Sequence, residues 1–267
     1  MLNFKKKTIF NKNLVEEESY FSNKVLAVWG SPSSGKTTVA CQIAKYLSSK
    51  KKNVLLLLCD MTAPMLPCIC PKNMYESNHS LGSIIAGIKI TENLVKQNLN
   101  LLKNNNYLGI LGLLKGENEY FYPSYNDKQA KELINILREM FDCVIIDCSS
   151  YIVNDILSAV SLMESDDVLR LVNCDLKSIS YLSSQLPLLK DNKWDSEKQY
   201  KIANNIKTNQ ASEMIEEVMG NVAFKLPYSQ EIENLWLEGN ILKDLCLKDS
   251  RVFKKEIEKI CKEVFYC

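Results

Sequence analysis

The stretch Gly30-Ser31-Pro32-Ser33-Ser34-Gly35-Lys36-Thr37 decides how the rest of the chain is read. It has the spacing G-x-x-x-x-G-K-[ST], and its context fits that motif. The apolar run Val25-Leu26-Ala27-Val28-Trp29 precedes it, and Val39 to Leu47 follows with apolar residues at helical spacing, giving strand, loop and helix in order. Gly30 and Gly35 let the backbone curl until its N–H groups point inward, and the following helix offers its positive N-terminus, so an anionic phosphate is the natural guest. The bland alternative is a glycine turn before a helix. Ser31, Ser33 and Ser34 fill the cradle between the glycines. Lys36 would reach the β- and γ-phosphates as a point charge, the Thr37 hydroxyl would be a ligand to Mg²⁺, and Thr38 would bond the α-phosphate.

Working outward, the next apolar run is Val54 to Cys59, uninterrupted as in a strand buried on both faces, and it ends in Asp60. Phe141 to Ile146 repeats the pattern and ends in Asp147. Between them, Met61 to Pro71 carries three prolines and reads as a rigid loop without a regular element. Helices are expected at Ser80 to Ile85, from Thr91 as N-cap, and over Lys128 to Met140, with a strand at Tyr107 to Leu113 and a polar, aromatic loop over 115–127. Asn154 to Glu164 (helix), Asp167 to Val172 (strand), Ser178 to Leu189 (helix), Tyr200 to Asn204 (strand), Gln210 to Met219 (helix) and Val222 to Leu226 (strand, closed by Pro227) continue the alternation. Helices over 229–238 and about 248–265 finish it. Such alternation predicts an α/β fold: a doubly wound, mostly parallel sheet with helices on both faces and ligands at the carboxyl ends of the strands. Asp60 and Asp147 then meet the phosphate loop at one edge. Asp147 would hold a water of the Mg²⁺ shell, and Asp60 would orient the attacking water or couple the γ-phosphate to the proline-rich loop. Taken singly, either aspartate reads equally well as a solvated turn residue.

These residues resemble the ParA/MinD family of P-loop ATPases, within the class that includes signal-recognition and nitrogenase-iron-protein relatives. The similarity runs from about Lys24 to Phe265, and a branch carried by conjugative mobile elements of low-GC bacteria is suggested. The resemblance implies the P-loop NTPase fold, ATP and Mg²⁺ as cofactors, Asp60 and Asp147 as switch I and switch II carboxylates, Asn204 as a reader of adenine, and Pro227 in the loop at the base. It also implies a nucleotide-dependent homodimer and a protein partner, with a cargo among DNA, a conjugation or secretion assembly, or a polar landmark. Two departures stand out. Ser31 occupies the position of the family's signature lysine, and Cys148-Ser149-Ser150-Tyr151 replaces the usual small residues and glycine after switch II. A slow ATPase acting as a switch is therefore expected. The alternatives are a scaffold impaired in hydrolysis and a phosphotransferase, the latter short of the C-terminal tyrosine cluster of tyrosine-kinase relatives, since only Tyr266 is there.

Composition bounds the rest. The 267 residues, 46% hydrophobic, suffice for one large domain, expected over 24–267 behind a polar leader over 1–23 that contains a possible edge strand at Thr8 to Phe10. Lysine plus arginine number 33 against 32 acids, so no global basic field argues for DNA. Lys5-Lys6-Lys7 and Lys50-Lys51-Lys52 read as solvated segments rather than a DNA footprint. The ten cysteines lack a disulfide framework's spacing, and with one histidine, His79, a zinc site is not indicated; reduced thiols in a cytoplasmic protein are expected. Cys148 invites a redox role by position alone. The C-terminal helix has an apolar face, but five basic and four acidic side chains from Asp249 to Cys267 favour packing on its own sheet over direct membrane binding. Tyr120-Phe121-Tyr122 and Tyr125 read equally as partner surface or satellite core.

Overall fold

A computed structural model describes residues 23–75, 79–185, 198–207 and 213–266. The polar leader up to residue 22, the basic run at 5–7, the edge strand considered at 8–10 and the loop over 190–197 lie outside the described residues. The elements run β1 (Lys24–Gly30), α1 (Lys36–Ser49), β2 (Val54–Leu58), α2 (Leu66–Ile69), α3 (Leu81–Ile85), α4 (Glu92–Asn98), β3 (Asn100–Leu102), β4 (Asn105–Leu111), α5 (Asp127–Met140) and β5 (Cys143–Asp147). They continue with α6 (Ile156–Glu164), β6 (Asp167–Asn173), α7 (Leu176–Gln185), β7 (Gln199–Ile206), α8 (Glu213–Met219), β8 (Phe224–Pro227), α9 (Gln230–Leu237) and α10 (Arg251–Phe265).

The strands form one eight-stranded sheet in the order β3-β4-β2-β5-β1-β6-β7-β8. All neighbours are parallel except β3 and β4. Strand side chains alternate between faces, and both faces are covered, which is why the runs carry no polar alternation. Val25, Ala27 and Trp29 of β1 pack with Leu133 and Leu137 of α5 and Leu157 of α6. Leu26 and Val28 face the other way, onto Val39, Ile43 and Leu47 of α1 and Ile257 and Ile260 of α10. The apolar stripe of α10 is thus spent in the core, as the balanced charge of that helix implies, and among the described residues no helix is long and apolar enough to cross a membrane.

Local chemistry sets the boundaries. Asn126 caps α5 in a reciprocal capping box with Gln129, and Thr91, Ser80, Asp155 and Ser229 cap α4, α3, α6 and α9 through side-chain oxygens. His79 lies in the loop before α3, its Nδ1 3.0 Å from the Leu99 carbonyl. One expectation needs correction and one element is new. The proline-rich segment is not wholly irregular: it holds the one-turn α2, where Pro67 sits in the first helical positions and its missing N–H forfeits no bond. The edge strand β3 is also additional; three residues are too few to show a period, and β3 exists because it pairs antiparallel with β4.

Candidate functional site

In-register pairing of β1, β2 and β5 brings their carboxyl ends together: Val28 lies beside Asp147, and Leu58 beside Asp147 on the other side. The loop after β1, the turn after β2 and the loop after β5 therefore open onto one cavity of about 1210 Å³. Gly30 is fixed by close approach, since a Cβ there would sit 1.9 Å from the Leu171 carbonyl oxygen of β6. Gly35 has φ of +80° and contacts Asn204, whose Nδ2 would lie 2.4 Å from an added Cβ. Ser33 is also left-handed, at φ 59°, with its carbonyl accepting from Asn173 Nδ2 at 3.0 Å. With Gly35 turning the chain, α1 begins at Lys36 and aims its unpaired first-turn N–H groups at the cavity.

At the cavity floor Thr37 Oγ1 donates to Asp147 Oδ2 at 2.6 Å. Asp147 is 4% exposed, and its Oδ1 is buried with no hydrogen-bond partner. Burial pushes its carboxyl up to about 6, against the bond from Thr37 and the nearby Lys36 charge. Burial also pulls the Lys36 ammonium below the ordinary lysine value, an effect that Asp147, Cys148 and Asp60 oppose. Lys36 Nζ donates to Ser150 Oγ at 2.7 Å and to the Ser31 carbonyl at 3.2 Å. Asp60 is half-buried, and its Oδ1 accepts from the backbone N–H groups of Thr62 and Ala63 at 3.0 and 2.8 Å, a turn that fixes the carboxylate on the cavity wall.

Of the residues picked out in the sequence, Ser33, Gly35, Lys36, Thr37, Thr38, Asp60, Asp147, Asn204 and Pro227 line the cavity. Gly30, Ser31 and Ser34 stand behind its wall. Ser31 is fully buried, and its Oγ donates to Ser178 Oγ on α7 at 3.0 Å, so this side chain is directed into the fold rather than outward. Asn204 braces the phosphate loop, its Nδ2 donating to the Ser34 carbonyl at 2.7 Å. Sequence reasoning missed Ser150 as the partner of Lys36, and Tyr181, whose hydroxyl donates to the Ser150 carbonyl. It also missed Tyr228 and Trp236 on the far wall, beside Lys207, whose ammonium lies 5.3 Å from the Tyr228 ring centre. None of these carries a spacing signal. The aromatic loop divides: Tyr120 and Phe121 are exposed, whereas Tyr122 and Tyr125 pack on the core, Tyr122 donating to Glu117 Oε1 at 2.6 Å.

A Mg²⁺ ion suits this donor set. It binds through one or two protein oxygens while keeping water and phosphate ligands, and the orphaned Asp147 Oδ1 beside the Thr37 hydroxyl supplies that kind of site. Among the described residues no cluster of three or more His, Cys, Asp or Glu could hold a metal by itself.

Comparison with known proteins bears on the family and the fold. The family model described as AAA domain matches residues 30–222. No curated protein matches the chain. Among solved structures, the cell division ATPase MinD of Pyrococcus furiosus superposes with a TM-score of 0.70 at 19% identity, covering 90% of this chain and 99% of its own. A ParA family ATPase from Chlorobium tepidum gives 0.72 at 17%, covering 90% and 97%. The septum site-determining protein MinD of Pyrococcus horikoshii, complexed with Mg-ADP, gives 0.69 at 18%, covering 90% and 96%. At these identities the likeness is one of fold.

Proposed function

The chain belongs to the AAA domain family and has the MinD/ParA fold, and from that premise we propose that residues 24–267 form one ATP-binding, slowly hydrolysing unit that works as a nucleotide-dependent switch. The observation that carries this reading is the convergence of Lys36, Thr37 and a buried, half-partnered Asp147 on the floor of a cavity large enough for a nucleoside triphosphate. The backbone N–H groups of the phosphate loop and the α1 N-terminus bind and orient the phosphates. Lys36 leaves Ser150 Oγ for phosphate oxygens, since a hydroxyl is a weaker partner for an ammonium than an anion is. Thr37 and Asp147 would hold Mg²⁺, Asp147 through water, and the ion when bound neutralises phosphate charge. Asp60, fixed by its turn, orients the attacking water. The loops after Asp60 and Asp147 respond to the γ-phosphate, because the first carries the cavity wall and the second carries Ser150.

The output is a nucleotide-dependent surface for a second copy or a protein partner, acting in partitioning, positioning or assembly. Tyr151 and Val153, 67% and 72% exposed beside the Asp147 loop, are where a change in that loop would first be felt. Because Ser31 is sealed against Ser178, any paired state must be held by other residues. Calorimetry with ATP and Mg²⁺ tests the core of the reading. Wild type is expected to show magnesium-dependent binding, and Lys36→Ala to lose at least about a hundredfold in affinity. Equal affinities for the two proteins, or no heat from either, would overturn it.

A further inference from the structure

The two cysteines that flank the site carboxylates are neighbours. Leu58 and Asp147 are the last register pair of β2 and β5, and the ladder runs one step further, the Cys59 N–H donating to the Asp147 carbonyl at 3.0 Å. Cys59 and Cys148 therefore stand side by side on adjacent parallel strands, at a backbone spacing of about 4.8 Å that lies inside the range a disulfide spans. Both point to the same side of the sheet, within the core packed under α5 and α6. Both thiols are buried, Cys148 at 2% exposure and Cys59 at 0%, but Cys148 belongs to the cavity wall and Cys59 lies behind it.

We propose that Cys59 and Cys148 form a reversible disulfide that ties the turn carrying Asp60 to the loop following Asp147, with a hydroperoxide as the oxidant. The peroxide is small enough to reach Cys148 through the cavity. The Cys148 sulfur attacks one peroxide oxygen, the O–O bond breaks, the departing oxygen takes the Cys148 thiol proton and leaves as an alcohol or water, and Cys148 becomes a sulfenic acid. The Cys59 sulfur then attacks the Cys148 sulfur; the S–S bond forms, the S–O bond breaks, and water departs with the Cys59 proton. Two thiols are oxidised by two electrons, and the peroxide is reduced. Parallel neighbours hold their Cβ atoms somewhat further apart than a relaxed disulfide prefers. The bond is therefore strained and easily reduced, as suits a switch rather than a staple. Its consequence rests on the nucleotide reading above: the bridge pins the two loops together, so nucleotide still enters while the movement that accompanies turnover is blocked.

The test treats the reduced full-length protein with hydrogen peroxide and maps cysteines by peptide mass spectrometry, with exposed Cys246 as an internal monitor of oxidation. The expected result is a peptide pair linked through Cys59 and Cys148, lighter by two hydrogens and abolished by dithiothreitol. In Cys59→Ala the intermediate should persist on Cys148 and be captured by dimedone. Unmodified Cys148 under conditions that oxidise Cys246, or Cys148 oxidised with no link to Cys59, would overturn the proposal. ATP turnover provides a second readout, expected to fall at least about tenfold on oxidation and to return on reduction. A linked protein whose turnover is unchanged refutes the switching role. A linked protein that binds no nucleotide even when reduced supports the disulfide and refutes the nucleotide reading instead.

Discussion

Asp60 and Asp147 end two apolar strands that look alike in sequence, yet the fold gives them opposite surroundings. Asp147 is 4% exposed, bonded to Thr37, with one oxygen orphaned and its carboxyl raised to about 6. Asp60, one strand away, is half-buried and turns an oxygen back on its own chain to hold Thr62 and Ala63. The difference comes from position in the sheet. Asp147 is the last residue of β5, paired with Val28 on one side and Leu58 on the other and capped by α1, whereas Asp60 lies two residues past the end of β2, where the chain runs outward into the proline-rich segment. A carboxylate in the first setting pays a desolvation cost that a cation relieves. One in the second setting keeps part of its solvation, which suits the proposed role of orienting a water.

Isosteric substitutions sharpen this contrast. The largest effect is expected from Asp147→Asn, which keeps an acceptor for Thr37 but removes the charge that would face Mg²⁺. Magnesium-dependent ATP affinity should fall about a hundredfold or more in calorimetry, while nucleotide binding without magnesium changes little. Asp60→Asn preserves the turn to Thr62 and Ala63, so its ATP affinity should stay within about threefold of wild type while single-turnover hydrolysis slows about a hundredfold. If the two variants behave alike, the division of labour drawn here is wrong.

A pH series separates the two carboxylates further. Below about pH 6 Asp147 must give up a proton before a cation can take its place, so magnesium-dependent affinity should weaken up to about tenfold per pH unit as the pH falls. Asp147→Asn should flatten that dependence, and Asp60→Asn should keep it. The smallest effect is on the ligand-free protein. The Asp147 carboxyl is raised from 3.8 to about 6 on folding, so between those values the native state keeps a proton that the unfolded chain has lost. That contribution to stability declines as pH rises through the window and is lowest above about 6. Asp147→Asn should therefore be more stable than wild type at pH 8 by about 1–3 kcal/mol in denaturant titration, with the gap closing near pH 4. An Asn variant less stable at both pH values would mean that the buried carboxylate is better satisfied than its orphaned oxygen implies.

Much of this architecture could be read from the chain because buried parallel strands need continuous apolar runs and helices need capped, periodic ones. Val54 to Leu58 and Cys143 to Asp147 are examples of the first, and Asp127 to Met140 behind its Asn126 cap of the second. The short elements escaped. β3 depends on a partner strand, and α2 on a proline that reads as a breaker unless it stands at a helix start. Within the site, the course of the loop from Gly30 to Thr37 was legible because it is local, a backbone curl feeding a helix, whereas which of its side chains face the cavity was not. The contacts of Lys36 with Ser150, Asn204 with Ser34 and Ser31 with Ser178 join residues 114, 170 and 147 positions apart, and no local pattern encodes them.

The amino-acid order alone thus settled the phosphate cradle, the doubly wound sheet and the presence of two strand-end carboxylates, since each follows from backbone geometry and the periodicity of burial. Folding decided which carboxylate would be desolvated, that the Ser31 hydroxyl would be sealed under α7 rather than presented outward, and that Cys59 would meet Cys148. Those outcomes depend on which strands become neighbours. Dielectric environment and close contact are properties of that arrangement, and they exist only once the sheet has closed.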